Sequence, residues 1–170
     1  HVVLNDGELS LEPLRFGVAG GKLDAQIRLN GRAAPLKGSA RLTARNFKLK
    51  QLFPTFEPMK TSFGELNGDA TITGTGNSVA KLLGTANGDL KMIINDGAIS
   101  RSLMEIAGLN VGNYIVGKIF GDEDVKINCA AADLGIKSGL ASTRLFVFDT
   151  ENAIIYIDGT VNLATEQLDL

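Results

Sequence analysis

Along most of this chain, apolar side chains fall on every second residue. Leu9 and Leu11 open the pattern, followed by Leu14, Phe16 and Val18, then Leu23, Ala25, Ile27 and Leu29. It returns in Leu90, Met92 and Ile94, in Val125, Ile127 and Cys129, and in Val161 and Leu163. A period of two sends one set of side chains to one face of a strand, whereas a helix would need a period of 3.6. Asx-Gly pairs punctuate the runs at Asp6-Gly7, Asn30-Gly31, Asn67-Gly68, Asn87-Gly88, Asp96-Gly97 and Asp158-Gly159. Such pairs tolerate positive φ and mark hairpins. The expectation is about ten antiparallel strands in an up-and-down meander, apolar on one face and polar on the other.

Loose repeats support an array that grows by adding strands. Leu4-Asn5-Asp6-Gly7-Glu8-Leu9-Ser10 is echoed by Ile94-Asn95-Asp96-Gly97-Ala98-Ile99-Ser100. Two helical interruptions are expected. Ser78 can cap a short helix over Val79-Ala80-Lys81-Leu82-Leu83 that ends at Gly84. Ser102 and Glu105 have capping-box spacing ahead of Leu103 and Ile106, and a second turn would carry Ile115, Ile119 and Phe120. Leu145-Phe146-Val147-Phe148 and Ile154-Ile155-Tyr156-Ile157 are apolar at every position, which implies cover on both faces, with the 102–120 segment as the candidate. The expected fold is mainly β: a curved antiparallel up-and-down meander, groove-like, with one or two short helices packed on or capping it. Residues 1–170 form a single domain in this reading.

With 170 residues the chain is long enough for one substantial core. A net charge of -2 excludes the basic field that nucleic-acid binding requires. Twenty Gly against 4 Pro fit tight turns rather than linkers. Cys129 is the only cysteine, so it forms no internal disulfide and leaves the redox compartment open. No run approaches the ~20 apolar residues of a spanning helix; residues 114–120 are short and carry Lys118. The chain starts at His1-Val2-Val3-Leu4 and stops at Leu168-Asp169-Leu170, both strand-like, and is expected to be a segment of a longer protein whose membrane anchor lies outside it.

Catalytic material is scarce. His1 is the only histidine, which leaves Cys129 without a base and reads it as a small buried hydrophobe. Asp122-Glu123-Asp124 lacks the alternating oxygen ligands of a calcium loop and reads as a solvated turn. Gly74-Thr75-Gly76-Asn77-Ser78 lacks the Gly-Lys-Ser/Thr ending of a phosphate loop and reads as a turn with an N-cap. No enzyme, cofactor or metal is expected.

The stretch from Leu9 to Leu23, with its Gly20-Gly21 pair, resembles the strand, turn and hairpin of the AsmA-like family of bacterial envelope proteins, including those of the TamB and YhdP type. Phe47-Lys48-Leu49-Lys50-Gln51-Leu52-Phe53-Pro54 is similar to that family's strand running into a short turn. Gly74 through Gly84, then Asn87-Gly88-Asp89-Leu90 and Asn95-Asp96-Gly97-Ala98-Ile99, carry the most specific likeness. The resemblance implies a periplasmic location, a tether to the inner membrane, and an apolar β-groove that binds or conducts phospholipid between the two membranes in outer-membrane biogenesis. Phospholipid acyl chains would lie along Leu14, Phe16, Val18, Leu23, Ile27, Leu29, Leu90, Met92, Ile94, Val125, Ile127, Ile155, Ile157, Val161 and Leu163. Ile155 and Ile157 are preferred to Ile154 and Tyr156 because Asp158, in phase with the latter, belongs in water. Leu103, Ile106, Ile115, Ile119 and Phe120 would form a helical cap. The alternative is a scaffold that contacts outer-membrane β-proteins through its sheet edges.

Overall fold

The computed structural model describes residues 1–32, 34–52, 63–99, 125–151 and 153–169, with only the backbone of Leu52, Phe63, Asp96, Ile99 and Val125. They form a single open antiparallel sheet of 11 strands. In chain order these are β1 (Val2–Asn5), β2 (Glu8–Val18), β3 (Gly21–Asn30), β4 (Lys37–Lys48), β5 (Phe63–Thr75), β6 (Asn87–Ile99), β7 (Val125–Lys137), β8 (Leu140–Thr150), β9 (Ile154–Tyr156), β10 (Thr160–Asn162) and β11 (Gln167–Asp169). Each strand from β1 to β8 pairs with the next. The outer edge of β8 is then shared: β10 takes Leu140–Ser142, β9 takes Val147–Asp149, and β11 closes onto β10.

Three of the tight turns use two residues with positive φ: Asp6-Gly7 (44° and 74°), Ala19-Gly20 (50° and 72°) and Ser138-Gly139 (50° and 79°). This geometry matches the right-handed twist of the strands it joins. The Asx-Gly expectation needs correction at three of its six positions. Asn67-Gly68 lies inside β5, and both Asn87-Gly88 and Asp96-Gly97 lie inside β6. The reason at Gly88 is close strand approach: its φ is 152°, and a Cβ there would meet the Thr71 carbonyl oxygen at 1.8 Å. The repeat echo fails for the same reason, since 4–10 makes the β1–β2 hairpin while 94–99 runs straight along β6.

Two short helices are described. α1 (Leu49–Leu52) continues directly from β4 and buries Leu49. α2 (Val79–Gly84) begins as expected, with Ser78 Oγ accepting from Lys81 N at 3.2 Å. Thr85, just past its end, binds both backbone groups of Thr75: its Oγ1 accepts from Thr75 N at 2.8 Å and donates to Thr75 O at 2.7 Å. That ties α2 down over the ends of β4 and β5, where Leu82 lies on Gly38 and Gly74. Nearby, Ala86, Ile136 and Ala141 form a small buried cluster joined by Ile72, Val161 and Leu163. Backbone bonds from Gly139 N to Ala86 O and from Leu163 N to Gly139 O lock the three turns at this end together.

Substituting Gly88 with Ala should lower stability by about 3 kcal/mol or more, because backbone lies where the new methyl must go. Gly17, where a Cβ would meet nothing within 4 Å, is the control, and its Ala variant should stay within about 1 kcal/mol of the parent. Urea denaturation midpoints check both.

Candidate functional site: the apolar sheet face

The pairing register decides which side chains share a face, because directly paired residues point the same way. One row reads Leu11, Ile27, Ala40, Ile72, Gly88, Ile136, Ala141 and Val161 across β2–β8 and β10. A second reads Phe16, Leu23, Ala44, Gly68, Met92, Ala132 and Phe146. Both rows are wholly apolar, and in both large residues are interspersed with Ala or Gly, so neighbouring side chains fit beside one another. Leu14, Phe16, Val18, Leu23, Ile27, Leu29, Leu90, Met92 and Ile94 all lie on this one face.

Other candidates divide differently. Ile155 pairs with Phe148 and shares the apolar face, while Ile154 and Tyr156 face the other way. Ile157 is half-buried, with its N–H on Phe146 O. Val161 and Leu163 pack against the closed cluster around Ala86. Ile127 is only 1% exposed, which leaves it no surface for a ligand. The side chain of Val125, and Leu103, Ile106, Ile115, Ile119 and Phe120, lie outside the described residues.

Alternation in large residues alone misses part of the face. Gly38, Ala40, Leu42 and Ala44 on β4 and Gly68, Ala70, Ile72 and Gly74 on β5 form its middle. The signal was present in the strict alternation of Lys37, Ser39, Arg41, Thr43 and Arg45 between small residues on β4.

This face is not sealed. Ile127 is the largest fully buried side chain among the described residues. Phe16 and Val18 remain 50% and 43% exposed. Contiguous apolar surfaces are uncommon on soluble monomers.

The opposite face is held by ion pairs across strands. Arg28 grips Glu12 with Nε and Nη2 on the two carboxylate oxygens. Arg45 Nη2 reaches both oxygens of Asp69 at 3.0 and 3.1 Å, and Thr43 Oγ1 donates to the same carboxylate at 2.9 Å. Arg144 meets Asp89 and Asp133, the latter also within reach of Lys91. The hydrogen bonds from Arg28 hold the Glu12 carboxyl below its ordinary range, and those from Arg45 and then Thr43 do the same for Asp69. The pairing with Asp89 raises the Arg144 guanidinium further.

Towards β9 the polar face changes character. Ile93, Ala131, Val147 and Tyr156 form an apolar row across it. Leu145 is 44%, Ile154 60% and Tyr156 73% exposed. The 102–120 segment expected to cover this face lies outside the described residues.

Among the described residues no group of His, Cys, Asp and Glu could hold a metal ion, and no helix is long and apolar enough to cross a membrane. Cys129 is half-buried and unbridged. The AsmA family profile matches residues 1–146. The chain belongs to the AsmA family. Over all 170 residues it is 56% identical to the AsmA family protein YhjG of Escherichia coli (strain K12), and it spans about a quarter (25%) of that relative's length. No solved structure matches this AsmA-family chain significantly. Neither comparison names a catalytic family.

The Arg28–Glu12 pair gives a direct check of the polar face. A carboxyl whose folded pKa is depressed stabilises the fold above its ordinary value and loses that contribution as pH falls through the depressed one. Arg28→Ala should return the Glu12 titration, followed by carboxyl-carbon NMR, to the ordinary glutamate range.

Proposed function

We propose that the apolar face of this sheet binds phospholipid acyl chains, and that the chain is a non-catalytic, periplasmic part of an inner-membrane-tethered AsmA-family protein that carries lipid between the inner and outer membranes. The observation that carries the reading is the open apolar face itself, continuous from β2 to β8 and incompletely covered. Acyl chains need apolar area and no fixed polar partners, and this face offers little else. Membership of the AsmA family fits an envelope-associated role.

A second reading has its own observation. Among the described residues β1 has no strand on its outer side, and its Val2, Val3 and Leu4 are exposed; unpaired strands of this kind accept a further strand. A scaffold that adds a strand from an outer-membrane β-protein would use such an edge.

Native mass spectrometry with lipid extraction, on protein purified without detergent, separates the two. Bound phospholipid is expected, and it should be lost in Ile27→Asp and Met92→Asp, which alter half-buried positions on the open face and should leave the circular dichroism of the sheet intact. Ile127→Asp, at the buried position, should unfold the protein instead. A folded, lipid-free parent protein would sink the acyl-chain reading and leave the edge reading standing.

A further inference from the structure

The apolar face does not end the same way at both ends of its strands. At the end carrying α2, Leu82 covers Gly38 and Gly74, and the Ala86 cluster packs three turns together. At the opposite end, Lys48 and Gln51 lie over the β2–β3 turn, and no apolar helix comparable to α2 covers the hairpin among the described residues. β1 pairs only with Glu8–Leu11, so β2 from Leu14 to Val18 has no strand on its outer side among the described residues. Beside that free edge lies a depression of about 520 Å³. Phe16 and Leu23 of the apolar face line it together with Arg15, Lys22 and Asp24 of the polar face. Apolar and charged side chains therefore meet at one exposed corner.

The charge there departs from that of the molecule. Lys22 pairs in register with Arg45. Lys48 lies over the β2–β3 turn: its N–H donates to Ala19 O at 2.8 Å, and its Cδ is 3.0 Å from where a Cβ on Gly20 would stand. Lys50 follows on α1. All three lysines are exposed, and none has an ion-pair partner among the described residues. The nearby carboxylates are Asp24, taken by Arg15, and Asp69, taken by Arg45. Glu65, opposite Lys48 in register, is the third among the described residues. Among those residues this corner thus carries an excess of cations, next to half-exposed Phe16 and Val18.

We infer that this corner docks onto a bilayer of anionic phospholipid, with Phe16 and Val18 entering the acyl boundary and Lys22, Lys48 and Lys50 facing the headgroup phosphates. The inference rests on the acyl-chain reading above and adds where lipid enters or leaves the face. Stable surface binding takes an apolar and a basic signal together, and both are present within one hairpin and the helix beside it.

The test is vesicle co-sedimentation at physiological salt. One set of vesicles contains phosphatidylglycerol and phosphatidylethanolamine, the other phosphatidylcholine alone. The protein should favour the anionic vesicles. Each lysine replaced by glutamine should cost about fivefold in affinity, so Lys22→Gln with Lys48→Gln should lose about 25-fold. Phe16→Ser should also weaken binding. Lys37→Gln with Lys137→Gln, at the α2 end of the strands, should bind like the parent. Equal binding to both vesicle types overturns the docking corner, as does full binding by the Lys22/Lys48 variant or an equal loss in the Lys37/Lys137 control. In each of those cases copurified phospholipid, lost in Ile27→Asp, would leave the acyl-chain reading intact. Loss of that copurified lipid from the parent itself would remove the reading on which the corner depends.

Discussion

Register is the constraint on which this molecule depends. In a sheet one residue thick, sliding any strand by one position against its neighbour would exchange its apolar and polar sets. Leu23, Ala25, Ile27 and Leu29 would then face water beside Arg41 and Arg45, and Asp24 and Arg28 would enter the apolar face. Salt bridges across the polar face oppose such a slip, because Arg15–Asp24, Arg28–Glu12 and Arg45–Asp69 each join neighbouring strands at one alignment. Exposed pairs contribute little to stability individually. Their value here is geometric, since each one is satisfied in a single register.

The same arrangement explains how the described residues carry a broad apolar face as one sheet. Backbone hydrogen bonds from eleven strands hold the sheet together, and the small residues on β4 and β5 keep its apolar side shallow. Leu82 of α2 and the Ala86 cluster seal only one end. What remains open is broad, apolar and almost free of hydrogen-bonding side chains. Such a surface offers hydrocarbon contact and few polar partners, which is what the proposed acyl-chain role requires.

Much of this was legible in the sequence, and the failures have physical causes. Alternation in β2, β3 and β6 identified the strands and their inward residues, since large side chains make the period of two visible. The start of α2 followed from Ser78 alone, whereas its C-cap lies one residue past the expected Gly84, at Thr85. The Asx-Gly signal misled where glycine serves close packing: at Gly88 the requirement is room for a neighbouring carbonyl, and sequence cannot distinguish that from a turn. Conversely, Ala19-Gly20 and Ser138-Gly139 make tight turns without an Asx residue. The middle of the apolar face was under-read because Gly38, Ala44, Gly68 and Ala70 look neutral unless the charges alternating with them are counted. The apolar row from Ile93 to Tyr156 shows in the sequence only as runs without alternation, and the 102–120 segment expected against it lies outside the described residues.

The shared outer edge of β8 carries one more implication. From β2 to β8, each strand zips along most of its neighbour's length; beyond it, the ladder splits between β9 and β10, three residues apiece. Contacts in this chain are overwhelmingly between adjacent strands, as in a linear array of repeats whose cooperativity is passed from neighbour to neighbour. In such an array a split rung acts as a boundary. The two short pairings on β8 are unequally anchored: β9 holds by three register pairs, whereas β10 is also fastened through Val161 and Leu163 to the Ala86 cluster. Loosening of this edge should therefore begin at β9, with β10 held until the Ala86 cluster itself gives way.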